Sequence, residues 1–285
     1  MIIVVTGPTG VGKTKLSVEL AKKYHAIIVN ADSMQVYKDL NIGTAKITEE
    51  EKENIPHYLF DIVNPEDMYT VYDYQKDARN ILYHNKDKNI IIVGGTGLYI
   101  KAALYNYKFT DETSFDEYEN LSNEELLDLV RKKYPDLKVD INNRKRLVRA
   151  LNKKDDYDAS GNQLLYNAIF IGLTTNRDNL YDIINKRVDK MFAFGLLEEV
   201  KKLYDQNIHS KAIYTGIGYK ELYDYFDGKI TLEEAKDLIK KRSRHYAKRQ
   251  YTWFNNQMNI TWFETNYEDF SKTVNAVINY IENIK

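Results

Sequence analysis

The chain has 285 residues, 41 basic and 42 acidic side chains, a formal net charge of −1 and no cysteine. That length predicts one large domain or a core with an insertion; the missing cysteines exclude disulfides, thiolate catalysis and cysteine-ligated zinc; and the balanced charge requires any nucleic-acid partner to be met by local basic stripes. No apolar run approaches the roughly 18 residues of a membrane span, and a core strand begins almost at Met1, so a cytoplasmic protein without membrane association is expected.

Ile2 to Val5 reads as a short buried strand. It runs into Gly7-Pro8-Thr9-Gly10-Val11-Gly12-Lys13-Thr14, which fits G-x-x-x-x-G-K-[ST] at every fixed position. A helix follows from Lys13 to about Tyr24, with Leu16, Leu20 and Tyr24 on one stripe. Strand, glycine loop and helix in this order make a phosphate-binding loop. Backbone N–H groups converge on phosphate oxygens at a helix N-terminus, Lys13 adds a point charge, and Thr14 can offer its hydroxyl to Mg²⁺. The motif announces a polyphosphate and leaves ATP, GTP and other diphosphates open.

Ala26 to Val29 is a second buried strand, ending in Asn30-Ala31-Asp32-Ser33-Met34-Gln35. Ligands of open α/β sheets gather at the carboxyl ends of strands, which makes Asp32 a candidate site residue. The plainer alternative is an Asp that caps a turn. A polar loop over 40–46 follows, and Thr48 with Glu51 predicts a capping box opening a short helix. His57 to Val63 reads as a third strand, Thr70 to about His84 as an amphipathic helix, and Asn89 to Val93 as another buried strand. Most P-loop ATPases set an Asp at the end of such a strand to orient Mg²⁺. Here Gly94-Gly95-Thr96-Gly97 stands instead, opening a helix from Leu98 to Leu104.

The character then changes. An acidic irregular stretch over 109–119 precedes a helix opened by Ser122 and Glu125, and a basic helix carries Arg144, Lys145, Arg146 and Arg149, then Lys153 and Lys154. Asp155 to Gly161 reads as a polar turn. A strand over Ala168 to Leu173 and a helix over 177–194 return to the core. Leu180, Ile184, Val188 and Met191 share one stripe of that helix, with Arg187 beside it. Leu196 to Gln206 is a further helix, and Thr215 to Lys220 a glycine-bearing loop that opens another. A long helix runs from Leu232 to about Phe254, and its segment 240–249, KKRSRHYAKR, is followed by aromatics. Basic residues interleaved with aromatics suit a nucleic-acid backbone and unstacked bases; a solvated charged face is the plainer alternative. A strand over Asn259 to Phe263 and a helix over Tyr267 to Ile284 close the chain. The fold class expected is α/β: a P-loop-type parallel sheet flanked by helices, with residues 1–107 and 166–285 as core and 108–165 as a helical insertion.

GPTGVGKT, ADSMQVYKDLNIGTAK, GGTGLY, IGLTTNR with NKRVDKM, GIGYKEL and RHYAKRQYTWF occur in this order over nearly the whole chain. Together they resemble tRNA dimethylallyltransferases (tRNA isopentenyltransferases) of the bacterial type. Two departures stand out: a shorter insertion, and Thr215 where a longer polar or basic side chain is expected. The resemblance implies alkyl transfer, moving a dimethylallyl group from its diphosphate to the exocyclic amine of the adenine 3′ of the anticodon. It implies that Gly7 to Thr14 and Thr96 hold the diphosphate, and that Asp32, Thr9 and Arg187 are catalytic. Asp32 would accept the amine proton, and Arg187 would be a second clamp on the diphosphate. Mg²⁺ would meet Thr14 and Asp32. The partner implied is a tRNA anticodon stem-loop, gripped by a monomer through Lys145, Arg146, Arg149, Arg244, Lys248 and Arg249. Asp32, Ser33, Met34, Gln35, Thr215, Gly216, Gly218, Tyr219 and Lys220 would lie near a flipped-out adenine and its neighbours. Gln35 has the amide needed for a bidentate adenine contact. The rivals are a nucleotide or small-metabolite kinase and a non-catalytic P-loop RNA-binding or GTP-switch protein. A GTP switch wants N-K-x-D, and Asn85 to Lys88 and Asn185 to Val188 both lack the final Asp.

Overall fold

Apolar runs without polar alternation predict strands covered on both faces. In the computed structural model, which describes residues 1–109, 118–137, 139–152 and 162–284, they build one six-stranded sheet. Its strands are β1 (Ile2–Thr6), β2 (Ala26–Asn30), β3 (His57–Tyr58), β4 (Asn89–Val93), β5 (Ala168–Thr174) and β6 (Thr261–Glu264), in the order β3-β2-β4-β1-β5-β6. Every pairing is parallel. Along β1, side chains alternate between two cores. Ile3 and Val5 join Leu16 and Leu20 of α1 (Lys13–Tyr24) and Val277 and Ile281 of α11 (Phe270–Asn283). Val4 joins Tyr74 and Ala78 of α2 (Val71–His84), Ile100 of α3 (Gly97–Leu104) and Phe254 of α10 (Leu232–Gln257).

A third core is helical. Val188 of α6 (Arg177–Ala193), Val200 of α7 (Leu196–Asp205), Ile213 of α8 (Lys211–Thr215) and Leu222 of α9 (Tyr219–Phe226) meet Ile239 of α10 and Val36 and Leu40 beyond β2. The chain divides into two compact units, Met1–Tyr105 with Leu164–Lys285, and Asn106–Gln163. In the smaller unit α4 (Asn123–Lys133) packs on α5 (Arg144–Leu151) through Leu126, Val130, Leu147 and Leu151.

Several local expectations change. The Thr48–Glu51 box forms, with Glu51 N–H on Thr48 Oγ1 at 3.2 Å. No helix follows it, because Glu53 and Asn54 turn left-handed at φ 47° and 59°. The strand expected over His57 to Val63 stops after Tyr58, since Leu59 and Asp61 are also left-handed, at φ 63° and 53°. The last strand is displaced to Thr261–Glu264. Lys153, Lys154 and the turn from Asp155 to Gly161 lie outside the described residues, as does most of the acidic stretch, 110–117.

Candidate active site

Each strand of a parallel sheet ends on the same edge, so β1, β2 and β4 deliver three loops to one place. The loop after β1 lies so close to β5 that a Cβ on Gly7, at φ 134°, would stand 2.3 Å from the Leu173 carbonyl oxygen. Lys13 Nζ donates to the Pro8 carbonyl at 2.7 Å, across the loop. Burial, and then the Arg187 guanidinium, lower the Lys13 pKa to about 8, against an opposing pull from Asp32. Burial likewise lowers the pKa of Arg187, and Asp32 opposes it. Lys13, Arg187 and Asp32 therefore share one electrostatic environment, with two cations held close before any anion arrives.

The loop after β2 is braced by Asn30, whose Nδ2 donates to the carbonyls of Leu59 (2.9 Å) and Asp32 (3.1 Å) and whose Oδ1 accepts from Asp32 N–H (2.9 Å). Asp32 Oδ1 accepts from Met34 N–H at 2.9 Å. The turn-capping alternative is thus realised at one oxygen, while the residue also lines the central cavity. Beside it, β4 pairs with β1 and ends in glycines and Thr96 with no carboxylate. Thr96 Oγ1 accepts from Ser33 N–H at 3.0 Å and donates to Ser33 Oγ at 3.2 Å.

One side chain stitches two of these loops. Gln250 of α10 accepts from Thr9 N–H and donates to the Gly95 carbonyl, both at 3.0 Å. A Cβ at Gly95 would lie 2.0 Å from the Gln250 nitrogen, so the glycine is required by this approach. Burial, and then the Asp32 charge, raise the pKa of neighbouring Tyr246, so its hydroxyl stays protonated.

These elements enclose a cavity of about 790 Å³. Thr9, Gly10, Gly12, Lys13 and Thr14 line it from one side, and Asp32, Ser33, Met34 and Gln35 from another. Arg187, Thr215, Gly216, Gly218, Tyr219 and Arg249 complete the wall. Gly7, Pro8 and Val11 shape the loop itself. Tyr219 is wholly buried and donates its hydroxyl to Glu199 at 2.7 Å, so it supports the wall and has no hydroxyl to offer a base. Gln35 donates its amide to the carbonyls of Thr44 (3.0 Å) and Ala45 (3.3 Å), which orients Oε1 as its free polar end. A bidentate adenine contact needs that amide nitrogen, so Gln35 as placed is a single acceptor.

The basic segment of α10 is less uniform than its sequence. Lys240 pairs with Asp189 at 2.6 Å, Arg242 pairs with the buried carboxylate of Glu221, and Arg244 donates to Asn185 at 2.6 Å. Glu221 also accepts from Gly218 N–H at 2.8 Å, so Arg242 steadies the 215–218 wall. Lys241 and Lys248 remain exposed, as does Arg249, which lies over the Tyr246 ring at 5.6 Å. Lys220 on α9 is half-buried. In the smaller unit Arg144 is committed to the carbonyls of Tyr118 and Leu121 (2.6 Å each), while Lys145, Arg146 and Arg149 are exposed.

Sequence reasoning passed over Glu199 and Gln250. A signal existed for Gln250, a polar residue on the α10 stripe that buries Ile239, Ala247 and Phe254. Glu199 carried none, because its partners are 20 and 156–158 residues away. The two residues expected to meet a divalent cation, Thr14 and Asp32, both line the cavity and could offer it a hydroxyl and a carboxylate. Among the described residues no group of three His, Cys, Asp or Glu could hold an ion. This set fits Mg²⁺ that keeps waters and shares substrate phosphate oxygens, the usual habit of that ion.

A family model described as IPP transferase matches residues 35–257. The chain is 46% identical to the tRNA dimethylallyltransferase of Anoxybacillus flavithermus over 99% of this chain and 96% of that one. It is 47% identical to that of Bacillus subtilis, over 92% and 90%. Among solved structures, the tRNA isopentenylpyrophosphate transferase of Bacillus halodurans superposes with a TM-score of 0.78 at 41% identity, covering 99% of this chain and 95% of that one. A eukaryotic dimethylallyltransferase acting on tRNA gives 0.83 at 28% identity, covering 99% and 78%.

Proposed function

The chain belongs to the IPP transferase family, whose members modify tRNA by dimethylallyl transfer, and from that premise we propose how its own residues do so. The donor is dimethylallyl diphosphate and the acceptor is the exocyclic amine of the adenine 3′ of the anticodon. The observation that supports this reading is the single cavity joining the phosphate loop, Lys13, Arg187 and Asp32. In this reading the two cations receive the departing diphosphate, and the carboxylate receives the incoming amine.

In this reading the loop N–H groups, Lys13 and Arg187 receive the diphosphate. As the carbon–oxygen bond breaks, its electron pair leaves with the diphosphate, and the cations stabilise the added charge. The allylic carbon carries partial positive charge, and the adenine nitrogen forms the new carbon–nitrogen bond. That nitrogen becomes acidic as it bonds, so its proton passes to Asp32, a weak base that suffices at this stage. Thr9, which lines the cavity, contacts the diphosphate in this reading, while Thr96 holds Ser33 beside Asp32. Mg²⁺, bound through Thr14, Asp32 and phosphate oxygens, would supply further charge neutralisation. No water attacks phosphorus in this reaction, so no residue is needed to position one.

The target adenine must leave its stack, at a cost of a few kcal/mol. Arg249 and Lys248 of α10 and Lys145, Arg146 and Arg149 of α5 are the candidates to grip the anticodon stem-loop. One chain holds every group named, so a monomer suffices. The place of action is the cytoplasm, where tRNA is; among the described residues no helix is long and apolar enough to cross a membrane. The test incubates the protein with labelled dimethylallyl diphosphate, Mg²⁺ and a tRNA bearing the adenine run. Label is expected in RNA from the wild type. Asp32→Ala should bind tRNA normally and lose turnover; loss of folding or RNA binding would make Asp32 structural.

A further inference from the structure

The loop from Leu40 to Lys46 forms part of the cavity wall without belonging to any helix or strand; Thr44 Oγ1 braces it locally on the Leu40 carbonyl (2.7 Å), and one distant carboxylate gathers its amides. Glu199, in the first turn of α7, accepts from Asn41 N–H (3.0 Å) and Ile42 N–H (2.7 Å) on Oε2. Its Oε1 accepts from Gly43 N–H (3.1 Å) and Tyr219 O–H (2.7 Å). Three successive amides and a phenol thus converge on one half-buried side chain. The loop lies flat on the Tyr219 ring, so that a Cβ at Gly43 would stand 2.7 Å from it. Farther along, Ala45 is left-handed at φ 46°, a conformation that persists in a non-glycine residue only where its surroundings fix it.

This loop has an output. The carbonyls of Thr44 and Ala45 hold both N–H groups of the Gln35 amide, and Arg187 Nη2 lies 3.5 Å from the Thr44 carbonyl. An unrestrained amide can present either its oxygen or its nitrogen. Two carbonyls on the nitrogen side settle the choice and leave Oε1 as an acceptor. We propose that Glu199, seconded by Tyr219, is a positioning residue for substrate selection. By pinning residues 41–43 it fixes the Thr44 and Ala45 carbonyls, and these lock Gln35 as an acceptor that reads the exocyclic amine of a base beside the target. The inference rests on the RNA-alkylating reading above.

The test compares stem-loop RNAs in which each adenine flanking the target is kept or replaced by inosine, which exchanges the amine for a keto oxygen. Wild type should lose about tenfold in kcat/KM at one of the two positions, the worth of one buried polar contact. Glu199→Gln keeps the shape but sets an NH₂ against a row of N–H donors. It should shrink that ratio towards one while the protein still folds, and Tyr219→Phe should do so less. Gln35→Ala should abolish the ratio, and Glu199→Gln added to it should change the ratio no further, as expected of residues acting in one chain of contacts. A full adenine-to-inosine ratio in Glu199→Gln, additive effects in the double variant, or no ratio in the wild type would overturn the proposal. If the wild type transfers no label to any RNA, the alkylating reading fails. The same ratios taken from stem-loop dissociation constants then decide the role of Glu199 on their own.

Discussion

Lys13 carries a property that its motif does not announce. A lysine in water keeps its proton to about pH 10.4, but burial beside Arg187 brings this one down to about 8. An anion in the loop favours the charged form, so the donor diphosphate should bind best when Lys13 is already protonated. Affinity is then full well below pH 8 and falls as pH rises through it, by about fivefold between pH 8 and 9 for a single required proton. The direction follows from the sign of the charge: the proton must be present on the bound form and is lost from the free one. Calorimetric titration of a non-reactive dimethylallyl diphosphate analogue across pH 7 to 9.5 measures this. Lys13→Arg provides the comparison, because a guanidinium stays charged throughout, and its affinity should lack the fall near pH 8. A wild-type affinity that is flat across the range would place the proton elsewhere.

At the scale of elements, the sequence was most legible where a local rule acts alone. Helix α1 follows from its glycine loop and apolar stripe, α2 from its amphipathic pattern, and α4 from the Ser122–Glu125 pair, which closes with the expected reciprocal bonds; α2 and α10 open on boxes of the same kind. The Thr48–Glu51 box obeys the same rule yet yields only a turn, because the chain must bend back at Glu53 and Asn54 to reach β3. The strand expected through Val63 fails for a similar reason at Leu59 and Asp61. Long-range roles were illegible: nothing beside Glu199 or Arg242 reveals a partner brought near by folding. Gln250 is the instructive case, since α10 uses it to join the Thr9 amide to the Gly95 carbonyl across 241 and 155 residues. Gln250→Ala leaves the buried Gly95 carbonyl and the half-buried Thr9 N–H unpaired, and a buried orphan costs about 1–3 kcal/mol. The expected outcome is a stability loss of that order in urea, with KM for the donor raised more than KM for tRNA, since Thr9 belongs to the diphosphate loop. Equal rises in both KM values would mean that the helix as a whole had shifted.

Over the whole molecule, a net charge of −1 offers RNA no general attraction, so affinity has to come from the few cations that folding leaves available. Composition counts six Lys and Arg within 240–249, but Lys240, Arg242 and Arg244 hold Asp189, Glu221 and Asn185. The two groups should separate in a salt titration of tRNA binding. Each phosphate contact contributes up to about 0.9 to the slope of log K against log salt. Lys248→Ala and Arg249→Ala should each lower the slope by as much as that contribution, with little effect on stability. Arg242→Ala should leave the slope unchanged and instead destabilise the fold by about 1–3 kcal/mol, below the full cost of breaking a buried pair because the arginine itself is partly exposed. The same contrast applies in the smaller unit, where Arg144 holds backbone carbonyls and Lys145, Arg146 and Arg149 face solvent. A slope that fell equally for Arg242 and Arg249 would mean that RNA displaces the Glu221 pair on binding. The 215–218 wall, which that pair steadies, would then be remodelled by the substrate rather than set in advance.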